Sequence, residues 1–113
     1  MANRKLDKAV ELAGAVGRAV PACEASGVSL DDMPRAEDFG LVINCTSLGI
    51  AEGDPLPFDP SRLNAETVVA EVVMTPAVTP VMAAAQSRGC KVVPGRAMIQ
   101  PQPALVAGFF GLS

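Results

Sequence analysis

The chain has 113 residues, half of them apolar, and a net charge of -3 at neutral pH. That is enough for one domain with a single modest core, and it excludes a disordered tail or a protein with a strong nucleic-acid field. No apolar run approaches the roughly 20 residues of a membrane span, and Met1 to Lys8 lacks the apolar stretch of a secretory signal, so a cytoplasmic protein is expected.

The first predicted element is an amphipathic helix from Asp7 to Val16, because Leu6, Val10, Ala13 and Gly17 recur at helical spacing with Asp7, Lys8 and Glu11 between them. Gly17 is its expected stop. Ala19 to Ala25 reads as a short strand. Ser29 to Pro34 reads as a capped helical turn or a loop, with Ser29 three residues before an acid.

Leu41 to Cys45 reads as a buried parallel strand that runs into the polar loop Thr46-Ser47-Leu48-Gly49. Ligands of α/β sheets bind at such carboxyl ends. Gly53 to Pro60 holds three prolines and two aspartates and is a loop. Thr67 to Val73 is the strongest strand by β-branched content. Thr79 and Pro80 suit the N-cap and first position of a helix that ends at Gly89. Cys90 to Val93 is a short strand, and a last helix covers Pro103 to Phe110, with its prolines tolerable only in or before the first turn. The alternation is that of an α/β fold with a parallel, helix-flanked sheet.

The sequence contains no histidine and no tyrosine. Histidine bases, histidine–metal sites, Ser–His triads and a tyrosine proton donor are therefore excluded within it. Cys23, Cys45 and Cys90 are odd in number and form no C-x-x-C pair. They read as reduced thiols used as small buried hydrophobes, with no metal site.

Taken in order, the segments Leu41 to Ile50, Asp54-Pro55-Leu56-Pro57, Glu71 to Pro76 with Thr79-Pro80, Arg88 to Val93, and Gly95-x-x-Met98-Ile99-x-x-Gln102 resemble the carboxy-terminal, cofactor-binding half of the shikimate dehydrogenase family. The family's own patterns there are "VINATPLGM", "DPLP", "DVVYNPxxTPLL", "RGARVVDG" and "GxxMLxxQ". Asn3-Arg4 resembles the "NRT" that closes the second strand of the dinucleotide fold. The resemblance covers nearly the whole chain in the family's order and spacing. It implies a partial Rossmann-like, doubly wound parallel sheet with flanking helices, and a partial dinucleotide-binding domain over residues 1–113.

The resemblance also implies site residues. Asn3 and Arg4 would sit by the adenosine ribose, with Arg4 on the 2′-phosphate, where a planar multi-donor guanidinium is well suited. Lys5 stands where the family has Thr and adds a second cation, which favours NADP over NAD. Asn44, Thr46 and Ser47 would line the ribose and diphosphate; loop-forming hydrogen bonds are their alternative use. Val72 and Gly95 would flank the nicotinamide, and Met98 would pack beside the ring. Gln102 would hydrogen-bond a substrate hydroxyl of a shikimate- or quinate-type acid. Met74 stands where the family commonly has a substrate-touching Tyr, and a thioether cannot donate a hydrogen bond. Glu71 replaces the usual Asp, and Gln100-Pro101-Gln102-Pro103 is richer in proline than the family's helix start.

The family's catalytic Lys–Asp pair and glycine-rich pyrophosphate loop have no match in this sequence, so no catalytic residue is assigned. The expectation is a fragment of an NADP-dependent oxidoreductase of aromatic amino acid biosynthesis, inactive by itself. The alternative is a non-catalytic binding or assembly module descended from that family. The family's first strand lies beside Leu41–Cys45, and without it an apolar edge is left exposed. A homodimer or swapped assembly through that edge is expected.

Overall fold

Residues 1–33 and 35–112 are described in the computed structural model, and they fall into two units, Met1–Arg35 and Ala36–Ser113. In the first, strand β1 (Ala2–Asn3) leads to helix α1 (Leu6–Ala19) and then to strand β2 (Val28–Ser29). The strands pair in parallel, Ala2 with Val28 and Asn3 with Ser29. The helix does not stop at Gly17: that residue keeps a negative φ, so it provides no left-handed cap, and the chain stays helical through Arg18 and Ala19. Its buried residues are Ala9 and Ala13, whereas Leu6 and Val10 are exposed. The apolar stripe therefore faces inward only through its smallest members.

The strand expected between Ala19 and Ala25 is absent. Cys23 N–H instead donates to the Val20 carbonyl in a turn. The β-strand lies further on, at Val28–Ser29, where pairing with β1 supplies its hydrogen bonds. The turn expected after Ser29 does form: the Ser29 hydroxyl accepts from Asp32 N–H at 3.1 Å and donates to its carboxylate at 2.7 Å. Pro34, the end of that predicted segment, lies outside the described residues.

The second unit is built on a three-stranded parallel sheet in the order β3 (Leu41–Asn44), β4 (Val68–Glu71), β5 (Lys91–Val93). In register, Val42 lies opposite Val69 and Val69 opposite Val92. These three share one face because side chains alternate along a strand. Helix α2 (Pro80–Ser87) contributes Val81 and Ala85 to the core with Ala36, Leu63, Val69 and Cys90. Each large aliphatic side chain fully buried there contributes about 1.5–3 kcal/mol before chain entropy is counted.

The opposite face of β3 is open, contrary to the expectation of a strand buried on both sides. Leu41 and Ile43 are each 53% exposed, and among the described residues no strand pairs with the free edge of β3.

Helix α2 begins as expected. The Thr79 hydroxyl accepts from Met82 N–H, and Pro80 occupies the first turn. Gly89 ends the helix with φ +83°, a conformation that costs glycine little. A short helix α3 (Arg96–Ile99), not foreseen, precedes α4 (Gln102–Phe109). No residue of α4 is buried.

Among the cysteines only Cys90 is buried, where its thiol meets the Asn64 carbonyl at 3.2 Å. Cys23 and Cys45 are exposed free thiols, which corrects the expectation of three buried hydrophobes. Cys23 lies in the turn after α1, and Cys45 directly follows the last residue of β3.

Candidate functional site

Parallel register places Asn44 directly opposite Glu71, each at the carboxyl end of its strand. Strand alternation sends both side chains toward the face that carries Val42 and Val69. Asn44 and Glu71 are accordingly buried, although both are polar. Burial of such groups is tolerable only where their hydrogen bonds are made.

They are made throughout. Asn44 Nδ2 donates to the Leu48 carbonyl at 3.0 Å and to Glu71 Oε2 at 3.2 Å. Asn44 Oδ1 accepts from Thr46 N–H at 3.0 Å and from the Thr46 hydroxyl at 2.7 Å. An asparagine amide offers two donor hydrogens and two acceptor lone pairs, so this one is fully committed. Leu48 N–H in turn donates to Thr46 Oγ1 at 3.0 Å. The loop after β3 is therefore folded around Asn44 and Thr46.

Glu71 collects further donors. Its Oε2 also accepts from the Thr79 hydroxyl at 3.2 Å, and its Oε1 accepts from Val72 N–H at 3.2 Å. The Thr79 hydroxyl donates to Glu71 while accepting from Met82 N–H. One carboxylate thus joins the end of β3, the end of β4 and the start of α2. No cation pairs with it among the described residues. Glu71 and Thr79 were not singled out from the sequence as a linked pair. A signal was available: Glu71 has the same strand parity as Val69, so it had to share the core face.

Gly95 lies against the same edge. A Cβ at Gly95 would stand 2.9 Å from the Val72 carbonyl carbon and would collide with the Val73 carbonyl oxygen. Its φ of -55° is ordinary, so close approach of two backbones, not backbone conformation, demands glycine here. The backbones of Val72 and Gly95 are therefore in close contact.

Ser47, on the tip of the β3 loop, is exposed, and its hydroxyl makes no hydrogen bond among the described residues. Met74 and Met98 are exposed, the second on α3. Gln102 is exposed at the start of α4. Nothing ties Gln102 to Gly95 or Asn44 by hydrogen bond.

Asn3, Arg4 and Lys5 belong to the first unit. Asn3 Oδ1 accepts from Lys5 N–H at 2.9 Å, which turns the chain from β1 into α1. The side chains of Arg4 and Lys5 are exposed and make no ion pair among the described residues.

No protein-family model matches the chain. The chain is 38% identical over 109 residues to a shikimate dehydrogenase (NADP(+)) of Nitrobacter hamburgensis, a match that covers 96% of the chain and 36% of that protein. Among solved structures it resembles a quinate dehydrogenase of Corynebacterium glutamicum in complex with NAD, with 30% identity and a TM-score of 0.72 over 87% of the chain and 35% of that protein. A shikimate dehydrogenase in complex with NADP+ superimposes with a TM-score of 0.80 at 23% identity, over 92% of the chain and 37% of that protein. The chain thus spans about a third of the length of the relatives it matches. The α/β fold with parallel strands and flanking helices is the fold of these Rossmann-like enzymes.

Proposed function

We propose that this chain is the nucleotide-binding portion of an NADP-linked oxidoreductase of shikimate dehydrogenase type, with residues 1–113 forming part of a dinucleotide-binding domain. The observation that carries the proposal is the shared carboxyl edge of β3, β4 and β5, where a hydrogen-bonded loop follows β3 and Gly95, after β5, lies against the backbone that leaves β4. Such edges are where α/β sheets bind nucleotides. The relatives named for NADP act on shikimate, and a shikimate- or quinate-type hydroxy acid is the substrate class proposed for the whole protein.

The residues present fit the group. Arg4 and Lys5 are exposed cations with no ion pair among the described residues, suited to a 2′-phosphate dianion, and Asn3 stands beside them for the adenosine ribose. Ser47 offers a free hydroxyl at the loop tip. Asn44 and Thr46 shape that loop, Asn44 having no hydrogen-bonding capacity left over. Val72 and Gly95 present backbone at the place proposed for the nicotinamide, with Met98 as an apolar neighbour. Gln102 and Met74 are the proposed substrate contacts. NADP, when bound, supplies the hydride donor or acceptor; the chain's own residues bind and orient it.

A second reading, a binding or assembly module without chemistry, is favoured by Met74, which is 43% exposed and cannot donate a hydrogen bond to substrate. General acid–base help is worth about 10²–10⁴ in rate, and residues 1–113 hold no histidine or tyrosine to give it. The purified 113-residue chain is therefore expected to bind NADP+ in calorimetric titration and to give no shikimate- or quinate-dependent NADPH absorbance. Turnover by this chain would contradict the assignment of its chemistry to residues outside it.

We also propose self-association through the free edge of β3, where Leu41 and Ile43 are exposed beside unpaired backbone groups. Sedimentation velocity is expected to register a dimer that grows with concentration. A single monomer boundary at the highest attainable concentration would contradict it.

A further inference from the structure

We propose that Glu71 is the positioning residue of the nucleotide loop: its buried carboxylate fixes the orientation of the Asn44 amide, and through it the shape in which Thr46, Ser47 and Leu48 meet the ligand. The proposal rests on the nucleotide-binding reading above and adds to it a residue that makes no ligand contact of its own.

The bonding pattern is directional. Asn44 can donate to Glu71 and Leu48 only while its Oδ1 faces Thr46. If the amide turned over, Nδ2 would face the Thr46 N–H, two donors in opposition. Thr46 N–H and the Leu48 carbonyl favour this orientation from within the loop, and the acceptor at Glu71 is what holds it from the neighbouring strand. The same carboxylate accepts the Thr79 proton, which leaves the Thr79 oxygen free to accept from Met82 N–H. Glu71 therefore sets the hydrogen-bond direction at two places at once, the loop after β3 and the first turn of α2.

Glutamine is nearly the same size as glutamate and cannot repeat this. With its oxygen toward Asn44 and Thr79, its amide nitrogen faces Val72 N–H, which then keeps only its bond to the Asn44 carbonyl; reversed, it faces the Asn44 amide and the Thr79 hydroxyl. Either way a donor meets a donor. The bond between β4 and the β3 loop spans 27 residues of sequence, so it joins segments that local structure does not hold together.

The test follows amide hydrogen exchange by two-dimensional NMR in the whole chain, with NADP+ titrated into the wild type and into Glu71→Gln, Glu71→Asp and Thr79→Val. In Glu71→Gln the Thr46 and Leu48 amides are expected to lose about tenfold or more of their protection, the worth of one good hydrogen bond. Val69 and Ala85 keep theirs. Aspartate, being acceptor-only, restores part of the protection, and Thr79→Val leaves the loop protected because the Glu71–Asn44 bond survives. The Kd for NADP+ rises about fivefold or more in Glu71→Gln. Wild-type protection of Thr46 and Leu48 in Glu71→Gln overturns the proposal, as does an equal loss in Thr79→Val. If Glu71→Gln does not fold, Glu71→Asp must loosen the loop more than Thr79→Val does, and the reverse order overturns the proposal. Unchanged NADP+ affinity in a loosened loop overturns it alone, whereas no NADP+ binding by the wild type overturns the nucleotide reading and the ligand half of this proposal together.

Discussion

Gly95→Val is expected to destabilise the protein by about 3 kcal/mol, the upper end of the range for overpacking, and to lower its melting temperature by about 10 °C or more. The reason is the identity of the obstacle. A Cβ at Gly95 meets the carbonyl group of Val73 and the carbonyl carbon of Val72, backbone atoms that continue from β4 and cannot turn aside as a flexible side chain can. Relief requires the β5–α3 turn to move away from the sheet edge, which also opens the place proposed for the nicotinamide. Gly108 provides the contrast. It lies within α4, and a Cβ there meets nothing within 4 Å, so Gly108→Ala is expected to be neutral or to stabilise by about 0.5–1 kcal/mol. Thermal unfolding followed by circular dichroism separates the two, and equal melting temperatures would contradict this account of Gly95.

Arg4→Ala is expected to weaken NADP+ binding by about 10–100-fold and to leave NAD+ binding within about twofold. A hydrogen bond to a charged group is worth about 1.5–3 kcal/mol, and each 1.4 kcal/mol is tenfold in Kd. Arg4 is exposed and makes no ion pair among the described residues, so no internal bond is lost with it and the loss should appear in ligand affinity, not in stability. Lys5→Ala should follow the same pattern more weakly, because an ammonium cannot form the paired contacts of a guanidinium. The preference should also shrink with added salt, since these charges face water. Equal loss of both nucleotides in Arg4→Ala would remove the 2′-phosphate role.

What could be read in the sequence was what neighbouring residues decide. Thr79-Pro80 announced a helix start because an N-cap hydroxyl and a first-turn proline act within three residues of each other, and the bond from Met82 N–H to Thr79 is the result. Gly89 closed that helix for an equally local reason. Gly17 misled because glycine stops a helix only when the chain adopts the left-handed conformation there, and α1 gains more by continuing to Ala19.

The misses share a cause in distance along the chain. The two-residue strand at Val28–Ser29 has no pattern of its own and exists through its pairing with Ala2 and Asn3. Leu41 and Ile43 looked like core by composition, yet β3 has one covered face, and which face is covered depends on α2, which begins only at Pro80. In the candidate site, Asn44, Thr46 and Gly95 were legible as types suited to a strand end. Their bonds were not. Glu71 looked like a mild replacement for aspartate, and only the register of β3 against β4 reveals that it faces Asn44.

The most direct test of the central claim is a titration of the isotope-labelled chain with NADP+, followed by two-dimensional NMR. If the carboxyl edge of β3, β4 and β5 forms the nucleotide site, the amides of Ser47, Val72, Gly95 and Met98 shift together along one saturable curve. Saturating NADP+ that leaves these four unmoved, or that moves only residues remote from the strand ends, would contradict it.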